Sequence, residues 1–108
     1  MGSTILNQHT PHLASGNTRR ATVSYQTEFR GRIINVSRKG DYGFVGRNTI
    51  SRMDGKDLGI DFRHDLRLHV KKNRELSDPL PWDVTVRFFL GPDPHSRDGF
   101  EVLGARLL

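Results

Sequence analysis

Apolar residues in this chain recur at every second position in short runs, which is the period of strands. The clearest run is Trp82 to Leu90, where Val84, Val86 and Phe88 share one face and Thr85, Arg87 and Phe89 the other. One of those faces must be core. Phe100 to Leu108 reads as the last strand, with Phe100, Val102 and Gly104 alternating against Glu101, Leu103 and Ala105. Toward the start, about Glu28 to Val36 and about Tyr42 to Arg47 read as a hairpin closed by the basic turn Ser37-Arg38-Lys39-Gly40-Asp41. Tyr42 and Phe44 lie two residues apart, so as strand residues their rings share a face.

The middle of the chain is harder to divide. Asn48 to Gly59 is a polar loop whose Asp54-Gly55 turn signal closes into a third strand, Leu58 to about His64. Leu66, Leu68 and Val70 also alternate, but the stretch Lys71 to Leu76 is polar and basic, so residues 65–81 read as a long connection ended by Pro79 and Pro81. If Leu66, Leu68 and Val70 are exposed they form an apolar patch suited to a protein partner; if they pack under the sheet, the patch vanishes. Residues 1–27 are rich in Ser, Thr, Asn, Gln and His, with apolar residues too scattered to form a face, and are expected to be a flexible, disordered N-terminal tail. Residues 28–108 are then one all-β domain, a five-stranded antiparallel barrel of the OB type.

Charge adds a partner class. Seventeen Lys and Arg against twelve Asp and Glu give a formal charge of +5, which favours an acidic partner such as nucleic acid. Arg30, Arg32, Arg38 and Lys39 bracket the first hairpin, while Arg63 near the end of the third strand and Arg67, Lys71, Lys72 and Arg74 after it cluster by the second aromatic motif. Rings that stack on bases beside cations that hold phosphates are what single-stranded nucleic acid requires. The absence of cysteine excludes a disulfide framework and a thiolate zinc site. No apolar run is long enough to span a membrane, and the first residues lack a signal-peptide profile, so the expected location is cytoplasmic, with the nucleus as the alternative.

Several short segments resemble the cold-shock domain. Gly31 to Ile33, followed nine residues after Ile33 by Tyr42-Gly43-Phe44-Val45, is similar to that family's opening strands. Ile60-Asp61-Phe62-Arg63-His64 resembles its second motif, Asp-Ile-Phe-Val-His, and Gly104 to Leu108 its closing strand. The likeness covers roughly Phe29 to Leu108 in pieces. It departs at Asn35 and Val36, where the family carries tryptophan and phenylalanine, at Gly40-Asp41, where it carries Lys-Gly, and at Arg63, where it has an aliphatic residue. The resemblance implies an atypical cold-shock barrel that binds single-stranded RNA or DNA, RNA favoured, in post-transcriptional regulation. With the clustered cations, the expected site comprises Arg32, Asn35, Arg38, Lys39, Tyr42, Phe44, Phe62, His64, Lys71 and Lys72; the resemblance implies Tyr42, Phe44, Phe62 and His64 side by side as a stacking platform, and the alternative is that Phe44 and above all Phe62 pack in the core.

The alternative is a barrel that has given this face to a protein partner within a ribonucleoprotein assembly. An enzyme is not expected, because His64-Asp65, Asp61 and His69 supply no nucleophile with an oriented base, and no small-molecule substrate or cofactor is implied. His64, His69 and His95 lack zinc-ligand spacing, and Asp54 and Asp57 lack that of a calcium loop, so no metal is expected.

Overall fold

A computed structural model of the chain describes residues 22–108. Six strands follow one another: β1 Glu28–Val36, β2 Tyr42–Val45, β3 Ser51–Arg52, β4 Leu66–His69, β5 Thr85–Pro92 and β6 Phe100–Leu107. Single 3-10 turns, Arg47–Thr49 and Val70–Lys72, follow β2 and β4.

Five of the strands close on themselves in the order β1-β2-β4-β6-β5-β1, and β3 adds a short extra strand beside β1. Every pairing is antiparallel except β4 with β6, which is parallel. The barrel is therefore mixed, a correction to the purely antiparallel expectation, and it is compatible with an OB-like barrel. The cause is the path of the chain: after β4 it crosses to the far side of β1, runs back as β5, and returns as β6 into the gap beside β4, now pointing the same way.

Alternation decides which residues fill the barrel. Phe29 and Ile33 from β1, Val45 from β2, Leu66 and Leu68 from β4, Val86, Phe88 and Leu90 from β5 and Val102 from β6 are each at most 1% exposed. Burying each such side chain contributes roughly 1.5–3 kcal/mol, so the strands are held mainly by this shared interior. In β6 the period breaks at Gly104, whose φ of +62° is open to glycine but strained for other residues. That kink turns Ala105 inward beside Val102, where strict alternation would put it outside.

The third barrel strand lies later than its sequence pattern suggested. Residues 58–64 form no strand; Ile60 and Phe62 instead plug the barrel from a loop, 4% and 8% exposed. The strand is β4, with Leu66 and Leu68 pointing inward and Val70 packed at the edge of the core, so the conditional apolar patch does not exist. Asn73 stitches the parallel seam, where Leu68 and Val102 are in register. Its fully buried amide donates from Nδ2 to the carbonyls of His69 (2.8 Å) and Val102 (3.1 Å) and accepts at Oδ1 from the Ala105 N–H (2.8 Å). Every polar atom of that side chain is thus satisfied away from water.

Part of the expected tail belongs to the packed body. Val23 is 3% exposed, and the Arg52 guanidinium donates to the Thr22 carbonyl at 2.9 Å. The remainder of that tail, residues 1–21, lies outside the described residues.

Candidate functional site

Because Gly43 and Val45 point into the barrel, Tyr42 and Phe44 point out of it, and the same parity in β4 turns Arg67 and His69 outward beside them. Register completes the grouping. Tyr42 pairs with His69 and Phe44 with Arg67 across β2 and β4, and Asn35 pairs with Phe44 across β1 and β2. The two rings meet edge to face, centroids 6.1 Å apart at 86°. The Arg67 guanidinium lies 4.7 Å from the Tyr42 centroid, a cation–π arrangement that leaves the ring a positive neighbour. His69 Nδ1 accepts from the Lys71 N–H at 3.1 Å, which assigns its ring proton to Nε2.

A basic edge borders the rings. The Ser37 to Gly40 turn is closed by the Gly40 N–H donating to the Ser37 carbonyl at 2.9 Å, and Gly40 adopts φ +76° where a Cβ would collide with Pro79. Glycine is required there on both counts. Ser37 Oγ donates to the Asp41 carboxylate at 2.8 Å, and this bond holds the Asp41 carboxyl below its usual range. The Val70 N–H donates to the Asp41 carbonyl at 2.9 Å, so the Val70–Lys72 turn stands beside the Ser37 to Gly40 turn at one end of the face. Arg38, Lys39 and Lys71 are exposed there, and none of these three, nor Arg67, has an ion-pair partner among the described residues. Lys72 is held by Glu101 at 2.8 Å.

Seven of the ten residues expected from sequence thus come together: Asn35, Arg38, Lys39, Tyr42, Phe44, Lys71 and Lys72. Three do not. Phe62 meets Phe29 edge-on inside the barrel at 6.0 Å and 82°, so it is a core ring. His64 serves a latch: its ring Nδ1 lies 3.1 Å from Asp98 Oδ1, while the His64 and Arg63 N–H groups donate to Asp98 Oδ2 at 2.9 and 3.0 Å. Arg32 is paired with Asp83, which neutralises its charge. Sequence reasoning missed Arg67 and His69 as neighbours of the rings; the signal that finds them is the Leu66/Leu68 alternation, once it is read as a buried strand.

Asp98 shows what the latch does electrostatically. Burial alone would raise its carboxyl, but the bonds from the His64 ring and from the two backbone N–H groups outweigh this and hold it below the usual aspartate value. Glu28 is likewise lowered, chiefly by the two bonds from Arg87 at 2.6 and 2.7 Å.

Among the described residues no three His, Asp or Glu side chains are grouped to hold a metal, and no helix is long and apolar enough to cross a membrane. No family model matches the sequence, and neither a curated protein nor a solved structure matches it.

Proposed function

We propose that this chain is a single-stranded nucleic-acid-binding module that lays a strand across the outer surface of β1, β2 and β4. The observation that carries the reading is the half-buried pair Tyr42 and Phe44, with Arg67 over one ring and, at its border, the cations Arg38, Lys39 and Lys71, which have no ion-pair partner among the described residues. Rings on a barrel surface stack bases of any sequence, and a mobile cation beside them neutralises phosphate. Asn35 and the His69 imidazole add hydrogen-bonding groups within the same patch. RNA is favoured over DNA through the cold-shock resemblance, which also suggests a role in RNA regulation. The module binds and does not catalyse. The burial of Leu66 and Leu68 removes the apolar patch that favoured the rival reading, a protein-docking face.

Titration of a labelled unstructured oligonucleotide at several salt concentrations tests the proposal. Affinity should fall with a slope of roughly 0.7 in log K per log salt for each phosphate neutralised. No binding at low salt, or an affinity indifferent to salt, overturns it.

A further inference from the structure

Among the described residues the most exposed large hydrophobic side chain is Trp82, 67% accessible, and it is the only tryptophan in the chain. Tryptophan is enriched where a ring meets a partner while its N–H keeps a hydrogen bond. This one is also held in place. Its Nε1 donates to the Ile34 carbonyl at 3.2 Å, and the residues behind it are bonded to β1, the Asp83 N–H to the Ile33 carbonyl at 2.8 Å and the Ile33 N–H to the Val84 carbonyl at 2.9 Å. Asp83 itself has φ +65°, a strained value for a residue with a Cβ.

Its place in the fold gives the ring a use. Trp82 flanks β1 on the side opposite β2, beside Ile34, the residue before Asn35, and Asn35 is in register with Phe44. Asn35, Phe44 and Arg67 thus form a row across β1, β2 and β4, and the indole is anchored at the β1 end of that row by the Ile34 carbonyl. One strand spacing of about 4.8 Å separates Asn35 from Phe44, and the indole is bonded to the carbonyl of Ile34 next to Asn35, so a short run of unstacked nucleotides reaches from one ring to the other. Asp83, the one carboxylate adjoining the indole in sequence, is paired with Arg32, which offsets its repulsion of a phosphate.

We infer that Trp82 is a base-stacking residue of the same site, extending the platform past β1 to receive the end of a single strand whose middle lies on Phe44 and Tyr42. This rests on the proposed function, and its ligand class is the same single-stranded nucleic acid.

Because Trp82 is the sole tryptophan, its fluorescence reports on this position alone. A fluorescein-labelled oligothymidine or oligouridine of about twelve nucleotides, within the range that one such barrel accommodates, gives affinity by anisotropy; the unlabelled oligonucleotide is used for indole emission. The expected result is indole quenching that saturates over the same concentrations as the anisotropy. Trp82→Ala should weaken affinity about five- to a hundredfold, and Trp82→Phe should recover most of it. Binding with unchanged indole emission and unchanged affinity in Trp82→Ala would overturn the inference while leaving the Phe44 platform intact. Complete absence of binding by the parent chain would remove both. A Trp82→Ala variant that binds normally but sediments as a smaller species would assign the ring to contact between copies of this chain, and would also overturn it.

Discussion

Two aromatic pairs in this barrel have nearly the same geometry and opposite surroundings. Phe29 and Phe62 meet at 6.0 Å and 82°, Tyr42 and Phe44 at 6.1 Å and 86°. The first pair is 0% and 8% exposed and continues into Phe88, stacked on Phe29 at 6.0 Å, whereas the second is half-exposed and meets a guanidinium. Ring contact by itself therefore says nothing about role. The difference comes from strand parity: Phe29 shares a face with Ile33, Tyr42 shares one with no core residue, and Phe62 reaches inward from a loop that obeys no parity.

The largest consequence is expected inside. Phe88→Ala should destabilise the domain by about 3–5 kcal/mol, the range for deleting a buried ring, a large part of the 5–15 kcal/mol that typically separates folded from unfolded states. Phe62→Ala, at a slightly exposed loop position, should fall near the lower end of that range. Urea denaturation followed by circular dichroism measures both. If Phe62→Ala is neutral to stability and instead weakens oligonucleotide affinity, Phe62 belongs with the outer pair and the two clusters are not distinct.

The same substitution outside should act on another quantity. Phe44→Ala is expected to leave the denaturation midpoint nearly unchanged and to weaken single-strand affinity by about 1–3 kcal/mol, the loss of one base stack. A lowered midpoint with unaltered affinity would show that the outer rings serve packing.

How much of this was legible in the sequence follows from the same contrast. Alternation located β1 with its observed bounds and found β2, β5 and β6 to within a few residues, because those strands bury one face and expose the other. It failed between residues 58 and 69. There Phe62 and His64 mimic strand spacing over three residues, too few to separate a strand from a loop that happens to turn one ring inward, and β4 has only four residues before the polar Lys71 and Lys72. Placing the strand about eight residues early put Phe62 and His64 on the platform and left Arg67 and His69 off it. The parallel seam was equally hidden, since Asn73 reads as one polar residue in a basic stretch and shows its three bonds only after β6 returns beside β4.

Acid should separate the clusters by a smaller margin. Arg63 and His64 directly follow Phe62 and are both bonded to Asp98, so the latch holds the loop that carries the inner ring. The Asp98 carboxyl lies below its usual value in the folded chain, so its contribution is present above the unfolded-state pKa and is lost as pH falls through the folded one. As pH falls below about 4, the unfolded-state value, the parent should therefore lose stability faster than Asp98→Asn, which forfeits about 1 kcal/mol already at neutral pH. Parallel stability curves across that window would remove Asp98 from the account.

The smallest effect distinguishes charge from stacking on the outer face itself. Lys39 is exposed, has no ion-pair partner among the described residues and sits in a turn fixed by Gly40, so Lys39→Gln should alter neither fold nor ring positions. If it neutralises one phosphate, the salt slope of oligonucleotide affinity should fall by roughly 0.7, with an affinity loss of only a few-fold at ordinary ionic strength. Plotted as log affinity against log salt, the Lys39→Gln line should converge on the parent line as salt rises, since the contact it removes is one that salt already weakens. The Phe44→Ala line should instead run parallel below the parent, because a stacked base releases no counterion. Two parallel lines would take Lys39 out of the phosphate contact, and two converging lines would mean that Phe44 acts only by positioning the basic turn.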